Sequence, residues 1–152
     1  MEESLKYLNE QFALADVDLK TYSPLTLAYI GDSIYDLLVR TILVKHGNAQ
    51  VNKLHKRASS LVKAPAQSDM MDKILPHLTE EEEHIYKRGR NAKSFTMAKN
   101  ATMAQYRRAT GFEAVFGYLY LKGDLKRIID LMKIGIEPEN KEKETNGRNQ
   151  GE

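Results

Sequence analysis

The sequence predicts an all-α fold, and three observations carry that prediction. Apolar residues recur at helical spacing along most of the chain, with no pair of alternating strands visible. Helix-starting and helix-stopping residues bracket those runs. A chain of 152 residues without cysteine is one domain, large enough to bury a core with neither disulfide nor structural metal.

Leu5, Leu8 and Phe12 are spaced for a short amphipathic helix in an accessory segment, 1–22. Ser23-Pro24 then opens a helix, with Ser as N-cap and Pro in the first turn, that runs to His46-Gly47. Val51, Leu54, Ala58, Leu61 and Val62 mark the next helix, which Ala64-Pro65 should end. Met70, Met71, Ile74 and Leu75 form another, stopped near Pro76. Thr79 to Glu82 matches a capping box, and its acids suit the positive end of a helix carrying Ile85 and Tyr86. Gly89 is expected to break that helix and to begin an exposed, mobile loop reaching Asn100. Helix returns from about Met103 to Leu121, Gly123-Asp124 stops and restarts it, and Leu125 to Ile134 is the last. The main domain is thus a helical bundle over 23–135. The polar remainder, 136–152, is expected to be disordered, because it has too little apolar surface to offset its ordering entropy.

The absence of Cys excludes thiol catalysis, iron–sulfur clusters and cysteine-based zinc sites. An acidic N-terminus, and no apolar run near the ~20 residues of a membrane span, predict a cytoplasmic protein with no membrane partner. The net charge is only +2, but it is unevenly spread. From His84 to Phe112 there is no acid, while Lys87, Arg88, Arg90, Lys93, Lys99, Arg107 and Arg108 all fall there. Lys53, His55, Lys56, Arg57 and Lys63 form a smaller cluster upstream. Such local basicity is the footprint of phosphate contacts, although a single cluster is also what any solvated face shows.

Three acids stand in apolar helical runs. Asp32 and Asp36 lie at i and i+4 within Leu27 to Arg40, and Glu113 sits among large apolar residues between Thr110 and Leu121. A buried carboxylate needs a partner, a donor or a metal, since leaving it unpaired costs several kcal/mol. Glu113 shares a face with Phe112, Phe116, Leu119 and Tyr120, so packing of that face would carry it toward the helix of Asp32. Two carboxylates from different helices suit Mg²⁺, a hard cation that can activate water and absorb phosphoryl charge. Plainer readings stand beside this one. Gly31 and Gly117 need serve only close helix packing, Glu113 could pair with Arg107 or Arg108, and Asp36 could pair with Arg40. Tyr29, Tyr35, Tyr118 and Tyr120 read as core or interface residues rather than base-stacking platforms.

Ile30-Gly31-Asp32-Ser33 with Asp36 resembles the Gly-Asp motif on the first catalytic helix of ribonuclease III, and Phe112-Glu113-Ala114-Val115-Phe116-Gly117 with Tyr120-Leu121 resembles its second acidic motif. The short chain and Lys87-Arg88-Gly89-Arg90-Asn91-Ala92-Lys93-Ser94 resemble the branch that has the catalytic domain without a double-stranded-RNA-binding domain. The resemblance covers roughly Pro24 to Ile136. It implies a ribonuclease III-like endonuclease fold and a Mg²⁺-dependent endoribonuclease cutting double-stranded RNA as a homodimer. Asp32 and Glu113 become the catalytic acids and metal ligands. Lys56, Arg57, Lys87, Arg88, Arg90, Lys93 and Arg107 become substrate contacts, and Asp36 and Thr110 stand behind the ligands. Maturation of the ends of 23S ribosomal RNA precursor is the implied task, with room for a ribosomal protein as helper. The family pattern is thinned, because Leu25, Ala28 and Thr110 stand where larger members have acids. That thinning supports a rival expectation, a non-catalytic helical RNA-binding or ribosome-assembly protein of the same fold.

Overall fold

The computed structural model describes residues 2–93 and 101–137. Among these residues seven α-helices run in chain order: α1 (Glu2–Gln11), α2 (Pro24–His46), α3 (Val51–Val62), α4 (Ala64–Ile74), α5 (Glu80–Asn91), α6 (Met103–Lys122) and α7 (Leu125–Ile136). Short 3-10 turns, Leu19–Thr21 and Leu75–His77, precede α2 and α5. No strand occurs among the described residues.

Local chemistry sets most boundaries as expected. Ser23 Oγ accepts from the Leu25 amide and Pro24 follows it, which opens α2. Thr79 and Glu82 form the reciprocal capping box of α5, and Thr102 with Gln105 does the same for α6. Gly123 closes α6 at φ 87°, a left-handed conformation in which a side chain would be strained, and Asp124 caps α7.

Two expectations are corrected. Pro65 does not end the helix that begins at Val51; α3 stops at Val62, and Pro65 lies in the first turn of α4, where a missing N–H costs nothing. Gly89 does not break α5, which continues to Asn91. Gly89 is instead buried, and a methyl there would meet Gly111 Cα and Ala114 Cβ, each at 2.9 Å. It marks close packing of α5 on α6. The rest of the expected loop, 94–100, and the tail from 138 on lie outside the described residues. The last helix extends two residues further than expected, to Ile136. Helix α1 has no buried residue, and Tyr7, Leu8 and Phe12 remain exposed.

The core is built around α6, which packs against α2, α4, α5 and α7. Tyr35 of α2 meets Phe112 and Phe116 edge-on, with ring centroids 4.9 and 5.6 Å away, and its hydroxyl donates to the Leu61 carbonyl of α3. At the α2–α6 crossing, methyls at Gly31 and Gly117 would overlap the carbonyl oxygens of Glu113 and Leu27 respectively. The two backbones therefore touch, and only glycine fits at either position. The reading of these glycines as close-packing residues holds, and the consequence is functional: Asp32 follows one of them and Glu113 lies one turn before the other.

Candidate active site

Leu25, Tyr29, Asp32 and Asp36 form one stripe of α2, at i, i+4, i+7 and i+11. Gly31 presses that part of α2 onto the backbone of Glu113. Asp32 is exposed, whereas Glu113 is half-buried between fully packed neighbours, Phe112 and Ala114. The structure thus brings the two central acids together from different helices. Their electrostatics record the encounter. Burial first, and the nearby Asp32 charge second, push the Glu113 carboxyl up to about 8, against a hydrogen bond from Gln67 that favours the ionised form. Burial and then Asp36 raise Asp32 above the ordinary carboxylate range as well.

Among the described residues, no ion pair of Glu113 with a cation occurs. Arg108 pairs with Asp72 instead, and Arg107 is exposed, so the expected pairing with either arginine does not form. Asp36 does pair with Arg40, 3.1 Å away, as the i,i+4 spacing allowed. Thr110 is buried, and its hydroxyl donates to the Tyr106 carbonyl one turn back at 3.0 Å. Ala28 is buried and Leu25 is an exposed apolar side chain, so neither position adds an oxygen ligand.

Among the described residues no group of three or more His, Cys, Asp or Glu is placed to hold a metal ion. The pair that is present still suits a divalent cation. Two neighbouring carboxylates, each held above its ordinary ionisation range with no paired cation among the described residues, are what a hard cation would relieve. Such a site supplies two protein ligands and leaves the remaining positions to water and phosphate.

The expected substrate cations divide into two groups. Lys56 and Arg57 on α3, Lys93 after α5 and Arg107 on α6 are exposed. The others are engaged. Lys87 pairs with Glu83 at 3.0 Å, and Arg90 lies 5.7 Å from the Tyr86 ring centroid. Arg88 donates to the carbonyls of Lys20 and Tyr22 at 3.1 and 3.0 Å, which fastens the 3-10 turn before α2 to α5.

Sequence reading missed Gln67. It is fully buried on α4 and interacts with Glu113. The available signal was its place on the stripe Gln67, Met70, Met71 and Ile74, a polar residue at a core position.

A glycine-locked crossing brings two acids from separate helices near each other in an all-α bundle. A model of the ribonuclease III domain matches residues 25–124. The chain belongs to the ribonuclease III family and is an endoribonuclease of double-stranded RNA. Within the family its relatives are proteins called Mini-ribonuclease 3. That of Clostridium tetani is 46% identical over 146 residues, covering 95% of each chain. That of a Thermoanaerobacter species is 42% identical, covering 90% of this chain and 97% of the relative. A crystal structure of a Fusobacterium nucleatum protein superposes with a TM-score of 0.74 at 32% identity, over 81% of this chain and all of the other. No helix among the described residues is long and apolar enough to cross a membrane.

Proposed function

We propose that Asp32 and Glu113 bind Mg²⁺ and carry the hydrolysis of double-stranded RNA, leaving 5′-phosphates and 3′-hydroxyls. The observation that carries this reading is the pair itself, two carboxylates brought together by the Gly31–Gly117 crossing with no paired cation among the described residues. When bound, Mg²⁺ supplies a water made nucleophilic near neutral pH and a sink for charge on the transferring phosphoryl group. The chain's own residues do the rest. Asp32, on the exposed side, is the ligand nearer the substrate. Glu113, wedged between packed neighbours, is the rigid one, and the glycine contact fixes the spacing between them. Asp36, held by Arg40, keeps negative charge beside Asp32 and favours a cation there.

Exposed Lys56, Arg57, Lys93 and Arg107 are the cations available to phosphates, which suits a duplex recognised by shape and backbone rather than by base edges. Leu25 and Tyr29, 37% and 79% exposed, continue the Asp32 stripe as an apolar surface that a second copy would cover. A two-fold dimer formed there would set two sites at fixed spacing, each cutting one strand. The proposed substrate in the cell is 23S ribosomal RNA precursor, cut in the cytoplasm, a reading that comes from the resemblance to the ribonuclease III branch without a double-stranded-RNA-binding domain and fits the relatives' name, Mini-ribonuclease 3. The experiment is cleavage of a labelled RNA duplex against Mg²⁺ concentration, with sedimentation of the same protein. Staggered double cuts that require the metal, made by a dimer, are expected. Cleavage that survives exhaustive chelation would overturn the metal site.

A further inference from the structure

Among the described residues the first enclosed side chain is that of Leu27, and everything from Glu2 to Thr26 is exposed or half-buried. Leu19 and Tyr22 rest only partly on the core. The entry to α2 is nevertheless fastened from far along the chain. Arg88 of α5 donates Nη1 to the Lys20 carbonyl and Nη2 to the Tyr22 carbonyl, at 3.1 and 3.0 Å, across 68 and 66 residues of sequence. Tyr22 immediately precedes Ser23, the N-cap of α2, so the grip falls on the turn from which that helix starts. The base of the grip is rigid. Ile85 and Tyr86 are buried, and Gly89, the next residue, is seated against Gly111 and Ala114 of α6. A planar guanidinium with two nitrogens on two carbonyls fixes both spacing and direction, which a single ammonium does not. Arg88 is thus a clasp, and what it holds is the start of the helix whose first two turns carry the exposed apolar Leu25 and Tyr29.

We propose that Arg88 is a positioning residue for the contact between two copies of this chain: by fastening the Leu19–Tyr22 entry to α5, it presents Leu25 and Tyr29 to the second copy ready formed. This inference rests on the reading of the Leu25–Tyr29 stripe as the dimer surface. An entry segment left free would have to be ordered on association, and that ordering subtracts from affinity.

The test uses the full chain with Arg88→Met, which keeps the aliphatic stem, and Arg88→Lys, which keeps the charge. Two quantities are read: the dimer dissociation constant, by sedimentation over a dilution series, and the rate of duplex RNA cleavage against protein concentration. Both variants should weaken the dimer by about tenfold, equivalent to about 1.4 kcal/mol. Raising the protein concentration should restore the wild-type rate per dimer, and the salt slope of duplex binding should not change. A dissociation constant unmoved in Arg88→Met, with only the melting temperature lowered, is the mark of a merely structural role and overturns the inference. Wild-type behaviour of Arg88→Lys, with a salt slope reduced in Arg88→Met, marks a phosphate contact and overturns it as well. Tyr29→Ala is measured in parallel. If it leaves the dimer intact, the stripe is not the interface and the dimer reading falls with the inference; if it breaks the dimer while Arg88→Met does not, only the role of Arg88 falls.

Discussion

Glu82 and Glu113 are both carboxylates carried into the interior by helices that pack on each other, yet their surroundings drive them in opposite directions. Glu82, 4% exposed, receives the Arg127 guanidinium on both oxygens, at 2.9 and 2.8 Å, and the Thr79 amide at 2.9 Å. Arg127 also donates to the His77 carbonyl, so the pair ties α7 to the start of α5. Burial raises the Glu82 carboxyl, but these partners together hold it below its ordinary value. Glu113, among the described residues, has burial and the Asp32 charge acting on it with no paired cation, and stands at about 8. A buried acid with its counter-ion built in is an element of structure. One without it suits a cation from outside the chain.

The comparison breaks most visibly under charge removal. Asp32→Asn and Glu113→Gln should each lower single-turnover cleavage by at least about 10²–10³-fold while circular dichroism and melting stay intact. Glu82→Gln should leave the rate per folded molecule almost unchanged. Near wild-type cleavage by Glu113→Gln would erase the distinction between the two acids.

Removing the cation is the next largest effect. Arg127→Ala leaves Glu82 buried and uncompensated, and should cost about 3 kcal/mol or more in denaturant unfolding. The Mg²⁺ dependence of cleavage should not move. A loss below about 1 kcal/mol would mean that Glu82 finds water or another donor in place of Arg127.

The two acids should also bend stability against pH in opposite senses. Glu113 is raised, so its favourable contribution is complete below its unfolded value of 4.5 and is lost as pH rises through about 8. Glu82 is depressed, so its contribution is present above the unfolded value and lost as pH falls through its lowered one. Metal-free wild type should therefore weaken from roughly pH 5 to pH 8 relative to Glu113→Gln, by on the order of 2 kcal/mol, since the side chain is not fully enclosed. Adding Mg²⁺ should flatten the difference. Parallel curves for the two proteins would place Glu113 in a better-solvated setting than its packing indicates.

The same rule applied to cations gives the smallest effect. Lys56, Arg57 and Arg107 are exposed, so replacing all three with Ala should weaken duplex binding and flatten its log–log salt slope by up to about 3. Arg88→Ala should instead appear mainly as a stability loss of about 1 kcal/mol, because its guanidinium is spent on the Lys20 and Tyr22 carbonyls. A salt slope unchanged in the triple variant, but reduced in Arg88→Ala, would reverse these roles.

What the chain determined by itself is local. Caps at Ser23, Thr79 and Asp124, the left-handed stop at Gly123 and the apolar periodicity placed most helices within a few residues, because each signal acts inside one turn of backbone. Where two local signals competed, the sequence misled: Pro65 and Gly89 read as breaks, but one fits a first turn and the other a helix contact. Asp32 and Glu113 were legible as acids out of place, and Gly31 and Gly117 as packing residues. Only the tertiary structure decided which acid has a counter-ion. Arg127 is 45 residues from Glu82, Arg108 is 36 from Asp72, and Gln67 reaches Glu113 from another helix altogether. Such pairings depend on how each helix is rotated about its axis and where it crosses its neighbour. Periodicity names the face a residue lies on, but the partner opposite that face is chosen by packing.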